Sequence, residues 1–312
     1  MSTHPATGLG VRCNGDLGRV GCGRRFRRTT HLYSTYVLVY GLPRGRKGEM
    51  SMLQDDLLGL FNRKALVLGA GQGIGEGITL LLARTGVHVA LVDQEAERAT
   101  AVAESARAHG VTATVIAADV RDDEQLVRAI GEADQALGGL DILVTVVGMA
   151  TFKPALDLTM QDWDDDQRRN LRYVFLAAQT FARHARLRSR PGVITCISSM
   201  SGVRSAAGHA AYGAAKDALL NTVRTLAVEW APYAIRINAV TPGSIATPNF
   251  PDSEQTREIM RNSLVPMGRS GTIDELCRPI LFLCSDMSSY VTGHNLWVDG
   301  GWGAANLFRF PS

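Results

Sequence analysis

Residues 64–86 read KALVLGAGQGIGEGITLLLARTG, and no other stretch narrows the fold as much. Residues 65–68 are a short, unbroken apolar run, the pattern of a strand buried on both faces. Glycines follow at 69, 71, 73, 75 and 77, while Ile74, Ile78, Leu81 and Leu82 recur at helical spacing. Strand, glycine turn and amphipathic helix in that order open a right-handed βαβ unit. The pattern repeats. HVALVDQ (88–94), TVIAADV (114–120), LDILVTVVG (140–148), GVITCISS (192–199) and IRINAVTPG (235–243) all read as further strands. A helix-length amphipathic segment fills each gap, the polar one between the second and third strands running from about Glu95 to Ala108. The expected fold class is therefore α/β, a three-layer, doubly wound parallel sheet of the Rossmann type in one domain.

The glycine turn carries the first functional signal. Gly69, Gly73 and Gly75 form G-x-x-x-G-x-G between strand and helix. Such a turn lets backbone approach a pyrophosphate, and the helix N-terminus offers N–H groups to it. By itself the pattern is weak, since glycine turns also arise for steric reasons. Asp93 strengthens it, ending the second strand eighteen residues beyond Gly75. A carboxylate there accepts hydrogen bonds from ribose hydroxyls and repels a 2′-phosphate. Gln72 in the turn is not basic, and no Arg or Lys directly follows Asp93. Both absences point to NAD rather than NADP. Asp119 is expected either to touch the adenine or to cap the next helix.

Composition excludes other classes. The 312 residues are 46% hydrophobic and 20% charged, as in ordinary globular chains. The net charge of +3 is uneven: residues 1–50 hold nine Arg or Lys against two acids, a net of +7, which leaves −4 for the rest. A mildly acidic body does not suit nucleic acid, and no apolar run approaches the ~20 residues of a membrane span. Cys196, Cys277 and Cys284 fall in apolar segments, which suggests reduced thiols and a cytoplasmic protein. Cys13, Cys22 and His31 do not supply the ligand set of a zinc site, so no metal is expected.

Residues 1–59 read as a basic, disordered N-terminal extension, 60–304 as the dinucleotide-binding domain and 305–312 as a C-terminal tail. Segment 1–50 has no amphipathic period. It suits a targeting presequence, a nucleic-acid or membrane tether, or a stretch upstream of the working start, and Met50 and Met52 favour the last. YVLVYGL (36–42) is a possible short strand. WGAANLFRFPS (302–312) is apolar enough to cover a neighbour or the site.

With GAGQGIG, AADV, RRNLRYVF, ISS ahead of YGAAK, IRINAVTPGSIAT and YVTGHNLWVDGG in this order, residues 60–302 resemble the short-chain dehydrogenase/reductase family. The resemblance implies that Tyr212 is the acid/base, Lys216 its partner, Ser199 the serine thirteen residues earlier, and Asn170 the asparagine after the fourth strand. It adds Ile74, Val120, Gly148, Pro242, Gly243, Ile245 and Thr247 to the cofactor-binding set of Gly69, Gln72, Gly73, Gly75, Asp93 and Asp119, with Tyr212 and Lys216 on both. Tyr212 and Lys216 lie four apart, so on a helix they share a face. The ammonium is then expected to lower the phenol pKa and hold the ribose, with small residues between them admitting the cofactor. Asn170 is expected to anchor a water beside Lys216.

The resemblance implies a hydride transfer between NAD(H) and a secondary alcohol or ketone. The substrate wall would hold Met149, Phe152, Met200, Ala206, His209, Phe250 and Met260, mostly apolar side chains that favour a hydrophobic substrate. Arg204 reads as a solvated arginine, and His209 either bonds substrate or faces solvent. The resemblance also implies a homotetramer. A 3-oxoacyl-thioester reductase using NADPH and a non-catalytic dinucleotide sensor are the alternatives. Two turns depart from the family pattern: Leu68 stands for threonine before Gly69, and Thr145-Val146-Val147 for Asn-Asn-Ala before Gly148. Apolar packing is expected to replace a polar link between them.

Overall fold

The computed structural model describes residues 56–262 and 265–305. Strands and helices alternate as β1 (Lys64–Leu68), α1 (Gly73–Arg84), β2 (His88–Asp93), α2 (Ala96–Arg107), β3 (Ala113–Ala117), α3 (Asp123–Leu137) and β4 (Ile142–Thr145). Then follow α4 (Met160–Gln167), a π-helical turn (Arg168–Arg172), α5 (Tyr173–Leu187), β5 (Gly192–Ile197), α6 (Ala210–Trp230) and β6 (Ile235–Pro242). The last elements are α7 (Glu254–Asn262), α8 (Ile273–Cys284) and β7 (Asn295–Val298). All seven strands are parallel, in the order β3-β2-β1-β4-β5-β6-β7. The winding reverses between β1 and β4, which opens a crevice at the strands' carboxyl ends.

Strand alternation builds the three layers. Leu66 and Leu68 face a core shared with α3, α5 and α6, whereas Ala65 and Val67 face one shared with α1, α2 and α8. Successive side chains of a strand point to opposite faces, so one apolar run serves both cores. Helix ends are set locally. Asp122 caps α3 through the N–H groups of Glu124 and Gln125, and Thr159 with Asp162, and Thr272 with Glu275, form capping boxes on α4 and α8.

The sequence reading missed β7 and carried some strands too far. β3 stops at Ala117 rather than Val120, and β5 at Ile197 rather than Ser199. Beyond those points the chain turns out over the sheet edge to form the site. β7 has only four residues on a sheet edge, partly exposed, with no period to betray it. Asp119 is not a helix cap; Asp122 takes that place. Cys13, Cys22, His31, segments 1–50 and 36–42, and residues 306–312 of the C-terminal stretch lie outside the described residues.

The glycine turn is packed by the protein itself. A Cβ on Gly75 would lie 1.8 Å from the Gly69 carbonyl oxygen, and one on Gly77 2.4 Å from Ile273 Cγ2 of α8. Gly69 and Gly73 hold φ of +89° and +59°, where side chains are strained. Gly75→Ala should therefore push α1 off β1 and cost about 1–3 kcal/mol, the range for overpacked interiors. Urea unfolding of the full chain measures it, and an unchanged midpoint would contradict this packing.

Candidate active site

The turns after β1, β4, β5 and β6 surround one cleft of about 890 Å³ at the carboxyl edge of the sheet. At its glycine end, the Gly69 and Ala70 N–H groups bond the Val92 carbonyl at 2.8 and 3.1 Å, tying the turn to β2. α1 begins at Gly73 with no side-chain cap on its first N–H groups. A Cβ on Gly73 would meet only Pro248, at 3.7 Å. Uncapped N–H groups beside a side-chain-free surface fit the pyrophosphate of a dinucleotide.

Asp93 lies 7% exposed in this cleft, where β2 ends beside the glycine turn. Its Oδ2 accepts the Gly71 N–H at 2.9 Å, and Oδ1 accepts the Glu95 N–H and an Arg98 Nη2–H, each at 3.0 Å. Arg98 also pairs with Glu95. No Arg or Lys directly follows Asp93, yet a basic residue does reach it. An arginine five residues on returns over the first turn of α2, a reach that adjacency in sequence does not disclose. Arg121 enters the same cleft and grips Asp119, whose carboxyl it holds below its ordinary pKa.

The four catalytic candidates come from three elements. Ser199 follows β5 and its Oγ accepts the Ser201 N–H at 3.2 Å. Tyr212 and Lys216 stand on one face of α6, with the Lys216 Nζ 5.8 Å from the Tyr212 ring centre. Lys216 is 2% exposed and donates to the Ile197 carbonyl at 2.9 Å. Asn170 sits in the π turn; its Nδ2–H groups bond the Met149 and Asp166 carbonyls at 2.9 and 3.0 Å, and its Oδ1 accepts the Met149 N–H at 3.2 Å. A Cβ on Gly148 would lie 3.0 Å from Asn170 Oδ1 and 3.2 Å from Lys216 Nζ, so this glycine lets the three groups meet.

Two expectations about Tyr212 and Lys216 change. Burial lowers the Lys216 pKa to about 8, and the ammonium does not depress the phenol. The Tyr212 pKa is raised instead, first by burial; the Ser199 hydroxyl opposes this and the Asp166 carboxylate adds to it. An i, i+4 spacing gives proximity but not the dielectric around it. The small residues between the pair also serve the fold. A Cβ on Gly213 would stand 2.9 Å from the Ser201 carbonyl, and Ala215 is wholly buried.

His209 occupies the N-cap position of α6 but makes no side-chain cap. Its Nδ1 is 2.8 Å from Ser201 Oγ, and its ring meets Phe152 and Tyr212 edge-on at 5.1 and 5.4 Å. Burial lowers its pKa, so the ring is neutral at pH 7. Arg204 is not solvated freely: it donates to the Trp302 and Ala305 carbonyls and fastens the segment after β7.

The cleft is lined by Gly69, Gln72, Gly73, Ile74, Asp93, Asp119, Val120, Gly148, Pro242, Gly243, Ile245 and Thr247, together with Ser199, Tyr212 and Lys216. Met149, Met200, His209, Phe250 and Met260 line it as well. Gly75, Asn170, Phe152 and Ala206 do not; Gly75 is pressed on Gly69, Asn170 lies behind Gly148, and Phe152 stands outside against His209. Sequence reading missed Arg98, Arg121, Arg169 and Ser201 as lining residues, whereas Trp302 opens the stretch read as apolar enough to cover the site. Ser201, two residues from Ser199, and Arg121, next to Val120, had a positional signal.

The departing turns do lie side by side. The Val146 N–H bonds the Leu68 carbonyl at 3.0 Å, and a Cβ on Gly69 would touch Val147 Cγ2 at 2.7 Å. Apolar packing fills the place, while the Tyr173 hydroxyl donates to the Val147 carbonyl at 2.6 Å. Among the described residues no group of three or more His, Cys, Asp or Glu is disposed to hold a metal, and no helix is long and apolar enough to cross a membrane.

Residues 69–303 match the family model described as enoyl-(acyl carrier protein) reductase. The chain is 36% identical over 248 residues to an L-rhamnose 1-dehydrogenase (NAD(P)(+)) of Azotobacter vinelandii, covering 78% of this chain and 97% of that one. It is 34% identical to a 3-oxoacyl-(acyl carrier protein) reductase of Aquifex aeolicus, over 78% of this chain and 98% of the other. A solved short-chain dehydrogenase/reductase from Serratia marcescens superposes with a TM-score of 0.74 at 32% identity, covering 78% of this chain and 99% of its own. The chain belongs to the short-chain dehydrogenase/reductase family.

The buried lysine has a measurable signature. The folded, cofactor-free chain releases the Lys216 proton near pH 8, whereas the unfolded chain holds it to its ordinary 10.5. Between those values the unfolded state binds more protons, so stability rises with pH. Compared with Lys216→Met, the wild type should gain stability from pH 8 to 10.5 and show a constant difference below pH 8. A difference that stays flat across the window would mean an ordinary lysine.

Proposed function

We propose that this chain is an NAD-linked oxidoreductase that interconverts a secondary alcohol and a ketone bearing apolar substituents. The observation that carries the reading is the convergence of Ser199, Tyr212 and Lys216 on the cleft that also exposes the glycine turn and Asp93. When bound, the dinucleotide supplies or accepts the hydride. The chain's own residues handle the proton and the oxygen. The Tyr212 phenol gives a proton to the substrate oxygen in reduction and takes it back in oxidation. The Ser199 hydroxyl donates a hydrogen bond to that oxygen as charge develops on it. Lys216, fixed by the Ile197 carbonyl, offers its remaining N–H groups to the nicotinamide ribose. Asn170 holds the Met149 backbone, and with it the turn at Gly148 beside Lys216.

NAD is the preferred cofactor in this reading because Asp93, a buried carboxylate at the glycine turn, has one lone-pair site on Oδ2 not taken by Gly71, Glu95 or Arg98. The apolar lining by Met149, Met200, Phe250, Ile259 and Met260 supports a hydrophobic substrate. Arg98 and Arg121 at the adenosine end favour a second reading, an NADPH-linked 3-oxoacyl-thioester reductase. A homotetramer is supported by the outer faces of α5 and α6, where Phe175 and Val228 are exposed beside a groove reaching Trp230 and Tyr233. Buried Cys196 and Cys284 thiols, with pKa values pushed up to about 11 by burial, suit the reducing cytoplasm.

The test is a turnover screen of 2-butanol, cyclohexanol, 1-phenylethanol, L-rhamnose and an acetoacetyl thioester with each cofactor. The proposal expects 1-phenylethanol oxidation with NAD at least about tenfold above NADP in kcat/KM, since a repelled 2′-phosphate forfeits over 1.4 kcal/mol. Thioester reduction with NADPH alone would favour the second reading, and dinucleotide binding with no turnover would favour a sensor. Tyr212→Phe should cut kcat by ~10²–10⁴ while NAD binding persists. A loss below tenfold would remove the tyrosine from its role.

A further inference from the structure

The loop after β4 is fastened to α4 and the π turn by three side chains, one turn apart. Asn170 bonds both the N–H and the carbonyl of Met149. Asp166 accepts the Thr151 N–H at 3.2 Å and the Thr151 hydroxyl at 3.1 Å. Asp162 accepts the Lys153 ammonium at 2.8 Å. Positions 162, 166 and 170 therefore hold 153, 151 and 149. Four helical residues rise about 6.0 Å and two extended residues about 6.6–6.8 Å, so a ladder of this kind runs in register without distortion.

The middle rung is the unusual one. Asp166 is wholly buried and pairs with Arg169 Nε at 3.2 Å, while Arg169 Nη2 donates to the Thr151 hydroxyl at 3.0 Å. Burying a carboxylate is costly unless it is paired and hydrogen-bonded, and here both conditions are met by the loop and the guanidinium. Held this way, the loop presents Met149, 60% exposed, to the cleft, while Phe152 stands outside it against His209. Its other edge is joined to the segment ahead of α6, where the Lys153 N–H bonds the Gly208 carbonyl at 3.0 Å and Phe152 abuts His209. His209 in turn abuts Tyr212.

We propose that Asp166 is a positioning residue that sets the substrate wall, holding loop 149–153 on α4 and, through Phe152, seating His209 beside Tyr212. The wall is preformed, so the adaptable side of the cleft is the opposite one, carrying Phe250 and Ile259. The inference rests on the dehydrogenase reading of the cleft, but its first measurement does not.

The experiment uses the full chain with Asp166→Asn and with the double variant Asp166→Ala/Arg169→Ala, which leaves no orphaned charge. Hydrogen exchange of the Met149 and Thr151 amides, read without substrate, should quicken at least about tenfold in the double variant as the rung is lost. NADH affinity should stay within about threefold, because the ladder lies away from the adenosine end. The KM for 1-phenylethanol should rise about tenfold or more, the mark of a misplaced wall, with a smaller change in kcat whose pH profile moves down as the Asp166 charge near Tyr212 is lost. Asp166→Asn, which keeps one carbonyl acceptor, should recover part of both effects. Unchanged exchange at 149 and 151 in both variants would overturn the proposal. So would a parallel fall of KM-independent turnover, NADH affinity and melting temperature, which would mark a residue needed only for folding. Changed exchange with no turnover in the wild type would uphold the ladder and sink the dehydrogenase reading instead.

Discussion

The buried ammonium of Lys216 is the group around which the rest of this structure is arranged. An unpaired charge in a protein interior costs several kcal/mol, and here the Ile197 carbonyl, freed at the end of β5, receives it. That bond requires α6 to lie against the carboxyl edge of the sheet. The Ser198 hydroxyl adds a second tie, donating to the Lys216 carbonyl at 3.2 Å. Gly202 makes the approach possible, since a Cβ there would meet the Lys216 carbonyl carbon at 2.6 Å. Once α6 is fixed, Tyr212, Ser199 and Gly148 have little freedom left. The two cores on either side of the sheet supply the stability that such a site needs.

The layers were legible because period is a local property. A short apolar run, a glycine turn and a 3.6-residue repeat identify β1 and α1 wherever they sit in a chain. The candidate catalytic set was legible for a different reason: Ser199, Tyr212, Lys216 and Asn170 stand at spacings shared with a known family. What could not be read were pairings between distant side chains. Arg98 on Asp93, Arg204 on the Trp302 carbonyl and Asp166 on Thr151 follow from how elements pack, and no periodicity encodes them. The sign of the Tyr212 shift was lost for the same cause. Sequence gives the distance from tyrosine to lysine, but burial decides which form of each is favoured.

The cleft divides into a side built by hydrogen bonds and a side built by apolar contact. Loop 149–153 is tied to α4 on one flank and to Gly208 on the other. The segment after β6 carries Phe250 and Ile259, which are largely exposed. Affinity for an apolar substrate would come from burying those side chains, each worth about 1.5–3 kcal/mol when fully covered. Selectivity would come from the fixed wall, because a rigid surface rejects what does not fit.

Burial favours the protonated Tyr212 phenol in the free chain, and in the proposed reaction the positive charge of a bound NAD⁺ would favour its ionised form. Carbon-13 labelling of the tyrosine Cζ, with Tyr212 assigned by its Phe variant, reports the phenol's ionisation directly. Titration should place Tyr212 above tyrosine's ordinary value of about 10 in the free protein and below it once NAD⁺ is bound. A phenol that already ionises below that value in the free protein, or one that NAD⁺ leaves unmoved, would contradict the account.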